Sequence, residues 1–134
     1  MKRQTEDWVL YADRDLYAAE IMFKDDYPLT NIVVFHCQQA IEKYLKAFLI
    51  EKDIPFTKTH DLVKLNGMIK KIKDLNIDRN KLALINDVYS ESRYPGEIGL
   101  MPDGMPTDKK ARDFIEYAQE VKTIIHNELN NNMN

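Results

Sequence analysis

The sequence predicts an all-α protein: an antiparallel up-and-down bundle of four to five helices, with a long loop before the last one. Three observations lead there. Apolar residues recur at steps of three and four along most of the 134 residues. No apolar–polar alternation of strand type runs for any length. Breaks bearing proline or glycine separate the periodic stretches.

The first helix is expected over about residues 5–24, where Trp8, Tyr11, Ala12, Leu16, Ala19, Met22 and Phe23 keep helical spacing. Glu6 and Asp7 suit its positive N-terminal end. DDYPLT ends it, because Pro28 lacks a donor and restricts Tyr27 before it. The second helix spans about 31–52. Val34, Cys37, Ile41, Leu45 and Phe48 form one stripe, and Phe35, Ala40, Tyr44, Ala47 and Leu49 widen it. Such a helix packs against more than one neighbour.

The polar groups of that helix fall in two rows, His36–Gln39–Lys43 and Gln38–Glu42–Lys46. Glu42 four residues before Lys46 is a helix pair of about 0.2–0.5 kcal/mol. Periodicity sets His36, Gln39 and Lys43 on a face apart from the apolar stripe.

KDIPFTKTHD is a loop around Pro55. Thr59 is the expected N-cap of the third helix, with Asp61 in its first turn. Leu62, Leu65, Ile69, Ile72 and Leu75 give that helix its apolar side. A fourth helix is expected over 79–92, with Leu82, Ile85, Val88 and Tyr89 inward. RYPGEIGLMPDGMPT then holds three of the four glycines and three of the five prolines. It is long for a loop in a compact helical domain, and such loops carry function or move. Thr107 caps the last helix, whose stripe is Ala111, Phe114, Ile115, Ala118, Val121 and Ile125. The tail NELNNNMN has no core to join and is expected to fray after about residue 127.

One domain is expected over 1–134. The net charge of −3 is unlike that of a strongly basic nucleic-acid binder, although basic patches remain possible. One cysteine and three scattered histidines offer no zinc ligand set, so no metal and no cofactor are expected. No apolar run approaches a membrane span, the N-terminus lacks a secretory apolar segment, and a cytoplasmic setting is expected. The lone Cys37 reads as a small core residue. Phosphate-cradling glycine loops and nucleophile elbows are absent.

Arg93 and Tyr94 stand out at the end of the fourth helix. A guanidinium fork suits phosphate, and Tyr94 can stack on a base. The alternative is structural: Arg93 on the last helix carbonyls or on Glu91 or Glu97, and Tyr94 in the core. His36 reads either as a base or phosphate donor, or as a histidine held by a neighbouring carboxylate. His60 is expected to orient the start of the third helix, and His126 to be solvated.

FHCQQAIEKYLKAFL, then PFTKTHDLVKL, then SRYPGE, in this order and spacing, resemble the HEPN domain family (higher eukaryotes and prokaryotes nucleotide-binding). The resemblance spans about Trp8 to Ile125. It implies a helical bundle, commonly a homodimer, that accompanies a small nucleotidyltransferase, often as a toxin–antitoxin-like pair. It implies nucleotide binding and, in many members, metal-independent RNA cleavage by an arginine followed four to six residues later by histidine. No arginine of this chain has a histidine at that distance; after Arg93 come Tyr94, Pro95, Gly96, Glu97, Ile98, Gly99 and Leu100. Catalytic residues are therefore unassigned, with His36 or His60 able to supply an imidazole from elsewhere in the fold. The expected ligand site is Arg93, Tyr94, His36, Gln39 and Lys43, for a nucleotide or RNA. The other readings are a divergent ribonuclease and a domain that only binds protein.

Overall fold

The computed structural model describes residues 1–93 and 105–131, the side chains of residues 91–93 excepted. Five helices follow in order: α1 Arg3–Phe23, α2 Thr30–Glu51, α3 Leu62–Lys70, α4 Arg79–Arg93 and α5 Asp108–Asn131. No strand occurs among the described residues. The all-α bundle is as the periodicity predicts. Of the loop expected over 93–107, Arg93 is the last residue of α4, and residues 94–104 lie outside the described residues.

α2 is the axis of the bundle and touches each of the other four helices, α1 most extensively. This follows from its composition. Val33, Val34, Cys37, Ile41, Tyr44, Leu45, Phe48 and Leu49 are all fully buried, so apolar groups cover most of its circumference. α1 contributes Ala12, Leu16 and Ala19, and α5 contributes Phe114, Ala118, Ile125 and Leu129. Leu129 corrects the view that the tail has no core to join: α5 runs on to Asn131 and its last turn is anchored.

The start of α1 has no side-chain cap. It is tied instead to the end of α2. The Lys2 backbone N–H and the Thr5 hydroxyl both donate to Glu51 Oε1 at 2.9 Å, and Lys2 Nζ pairs with Asp53. Burial raises the Glu51 carboxyl, but these two hydrogen bonds and the nearby positive charges outweigh it and hold it below the ordinary range. α2 stops in a Schellman turn: Asp53 N–H donates to Ile50 O, Ile54 N–H donates to Leu49 O, and Asp53 takes φ 55°.

Two expectations at α3 are corrected. Its N-cap is Asp61, whose carboxylate accepts from the N–H groups of Val63 and Lys64; Thr59 instead accepts from Asp61 N–H one turn earlier. Asp61 wins because Asn86 of α4 pins it, donating to Asp61 Oδ1 at 2.8 Å and accepting from Leu62 N–H at 3.1 Å. The helix ends at Lys70, not near Leu75. Asp74 accepts from Asn76 N–H and Asn76 takes φ 60°, a local turn that competes with a continued helix. Leu75 is still buried, whereas Ile72 is exposed. Asp78 caps α4 by accepting from the N–H groups of Asn80 and Lys81, and Thr107 caps α5 through Lys110 N–H, as expected.

Cys37 lies wholly inside the core, as its stripe predicts, and burial, with the charge of Glu20, pushes its thiol far above the ordinary value. Among the described residues no helix is long and apolar enough to cross a membrane.

Candidate functional site

α2 meets its neighbours through two carboxylate-centred clusters. The first is on the α1 side. Asp15 Oδ1 accepts from His36 Nδ1 at 2.9 Å, and Asp15 Oδ2 pairs with Lys43 Nζ. The His36 ring also meets Phe35 edge-on at 5.2 Å, and Phe35 stacks on Tyr89 of α4 at 6.0 Å. Two residues before Asp15 on α1, Asp13 accepts from the Tyr44 hydroxyl and from His126 Nε2 at 3.3 Å. Burial, then the hydrogen bond to Asp13 and the charges of Asp13, Glu20 and Asp15, push the Tyr44 phenol above its ordinary range, so it stays a donor. His126 is thus bonded and half-buried, not solvated.

The second cluster is built on Glu42, whose side chain is only 5% exposed. Glu42 Oε1 accepts from His60 Nδ1 at 2.8 Å and from Gln38 Nε2 at 3.2 Å; Oε2 accepts from Lys46 Nζ at 3.0 Å. Gln38 Nε2 also donates to the His60 backbone carbonyl, and Gln39 Nε2 donates to Gln38 Oε1 at 2.8 Å. The Lys46 ammonium stands 5.7 Å from the centre of the Trp8 ring. A buried carboxylate without these partners would be strongly destabilising; with them each of its oxygens is satisfied.

The consequence lies in His60. Its side chain is 72% exposed although its partner is buried. Because a carboxylate only accepts, Nδ1 donates to Glu42, and Nε2 has no hydrogen-bond partner among the described residues. This imidazole stands between two open clefts. One, of about 360 Å³, is lined by His60, Asp61, Asn86, Asp87, Tyr89 and Ser90. The other, of about 420 Å³, is lined by Trp8, Lys46, Phe56, Lys58, Thr59 and His60. The arrangement can accept a proton, donate one, or hold a phosphate.

The expected site residues are only partly brought together. His36 and Lys43 converge, but on Asp15, and the histidine is of the carboxylate-held kind. Gln39 turns away from both and joins the Glu42 cluster. Lys43 also edges an open cleft beside Trp8 and Tyr11. Arg93 is the last residue of α4, one turn beyond Tyr89 and Ser90; its side chain, and Tyr94 altogether, lie outside the described residues. Sequence reasoning paired Glu42 with Lys46, as the structure does, but missed His60 on the same carboxylate. The available signal was that α2 is apolar nearly all round. A row such as Gln38–Glu42–Lys46 on such a helix has little solvent to face and must meet a buried partner.

Among the described residues no group of three histidine, cysteine or acidic side chains could hold a metal ion. The family model described as "HEPN domain" matches residues 5–129. A crystal structure described as an archaeal HEPN homologue has the same fold, with a TM-score of 0.71 and 24% identity over 96% of this chain and 98% of that one. No protein with a curated description matches. Spanning α1 to the last turn of α5, the family match takes in every helix that builds the Glu42 hub, and the chain belongs to the HEPN domain family.

Proposed function

We propose that this chain is a nucleotide- or nucleic-acid-binding HEPN module that takes a phosphate at the corner between His60 and the end of α4. The observation that carries the reading is the imidazole of His60, fixed through Nδ1 on a buried carboxylate and open at Nε2 in a cleft of nucleotide size. Tyr89 and Ser90 line the same cleft, and Arg93 follows them on α4 by one turn. The reading therefore keeps Arg93 and Tyr94 at the phosphate end and replaces His36, Gln39 and Lys43 by His60. Homodimerisation, and pairing with a nucleotidyltransferase in a toxin–antitoxin-like unit, belong to this reading on the strength of the family resemblance alone.

Calorimetric titration with a panel of nucleotides tests it. Arg93→Ala and His60→Ala weaken binding at least about tenfold, a loss of roughly 1.4 kcal/mol, while His36→Ala does not. Absence of binding by the wild-type protein, alone and with its partner, would sink the reading.

The Glu42–His60 pair also favours a second reading, a metal-independent ribonuclease in which His60 replaces the histidine missing after Arg93. An oriented imidazole can take the proton of a 2′-hydroxyl as that oxygen bonds to the adjacent phosphorus and the P–O5′ bond breaks, the departing 5′-oxygen taking a proton from water. RNA cleavage that persists in chelator and disappears in His60→Ala would establish it; intact RNA under both conditions rules it out.

A further inference from the structure

We propose that the site continues from His60 across Trp8 as a track for a single-stranded nucleic acid, so that the ligand is a short strand and not a lone nucleotide. This rests on the reading that a phosphate docks at the His60 corner.

Three open clefts adjoin through shared residues. The cleft of α4 meets the central one at His60, and the central one meets a third at Trp8. The third, of about 390 Å³, is edged by Gln4, Asp7, Trp8, Tyr11 and Lys43. Each has the volume of one nucleotide-sized ligand, and joined they exceed what a mononucleotide fills.

The lining alternates in kind. His60, Phe56, Trp8 and Tyr11 supply rings and Lys58 a cation; Lys46 and Lys43 add cations paired with Glu42 and Asp15, while Tyr89 is buried against Phe35. No carboxylate lines the central cleft, although Glu42 stands behind Lys46, Asp7 edges the third and Asp61 and Asp87 line the cleft of α4. Rings interleaved with lysines match the two halves of a nucleic-acid strand, base faces and phosphates. Lys58 is exposed, and no ion-pair partner holds it among the described residues. Tyr11 is 60% exposed, beside Trp8, where no core requires an aromatic ring. A cationic ligand is disfavoured by the lysines. Duplex bases keep their faces inside the stack, so Trp8 can pair only with an unpaired base.

Trp8 is the sole tryptophan of the chain, so its fluorescence reports this track alone. The wild-type protein is titrated with a mononucleotide, with RNA and DNA homopolymers of about three and six nucleotides, and with polyglutamate. The trimers are expected to quench Trp8 and to bind at least about tenfold tighter than the mononucleotide, with affinity falling as salt rises. Binding by either series supports the proposal, and the tighter one names the sugar. Phe56→Leu and Lys58→Ala each weaken the oligomers about fivefold or more and leave calorimetric mononucleotide binding unchanged. Equal affinity for monomer and oligomer, or oligomer binding indifferent to both substitutions, overturns the track; so does polyglutamate binding tighter than every oligomer. If monomer binding remains sensitive to Arg93→Ala while length has no effect, the track fails and the phosphate corner stands. If oligomers quench Trp8 but Arg93→Ala changes nothing, the track stands and the corner fails.

Discussion

The two charged clusters of α2 have the same parts and opposite fates. Asp15 holds His36 and Lys43; Glu42 holds His60 and Lys46. In the first, the histidine side chain is 28% exposed and rises from the helix itself. In the second, the carboxylate is the deeper of the two acids and its histidine comes from the loop before α3, open to solvent. A carboxylate, an imidazole and an ammonium therefore make a closed clasp or hold an imidazole open to solvent, according to where the ring comes from. Residue type alone does not separate them.

The comparison is broken most severely by removing the deeper acid. Glu42→Ala leaves Lys46 buried with no counter-charge and is expected to destabilise the fold by about 3–5 kcal/mol, as read by urea unfolding. Asp15→Ala frees two groups that can reach water, and the same experiment should show only about 1–2 kcal/mol. Equal losses would mean that the burial difference does not govern the energetics.

A third acid, Glu51, sharpens the scale from the exposed side. Thr5→Val removes one donor to it and should cost about 1 kcal/mol at neutral pH. Because the folded carboxyl titrates below its ordinary value of 4.5, its stabilisation is complete above that value and is lost as pH falls below it. The wild type should therefore lose its advantage over Thr5→Val in acid, which urea midpoints at about pH 7 and about pH 3 would reveal. A gap that persists in acid would contradict the assignment. Smallest in stability is His60→Ala, about 0.5 kcal/mol, since the ring is mostly outside. Its effect belongs to ligand binding, and His36→Ala should show the converse: a measurable loss of stability with binding intact.

Much of the fold was legible because α2 declares itself. Val34, Cys37, Ile41, Leu45 and Phe48 keep one stripe, and the structure buries them all. The end of α3 was not legible, since Leu75 continues the apolar pattern after the chain has left the helix. The stop depends on Asn76 adopting a left-handed conformation, which its residue type permits but does not require. The site was half legible for a related reason. Periodicity shows which side chains share a face, but not which neighbour stands opposite. Asp15 lies 21 residues before His36, and His60 lies 18 residues after Glu42. Only packing α1 and the loop before α3 against α2 reveals that one row is clasped within the bundle and the other holds an exposed imidazole.

The sealed position of Cys37 gives this protein an internal clock. A thiol reagent in solution can reach the sulfur only when the bundle opens, so the rate of labelling counts openings of the core. A ligand that binds only the closed bundle makes those openings rarer in proportion to its occupancy. Slowed modification of one thiol would thus register a partner at the surface some distance away, with no reporter group built into either molecule beforehand.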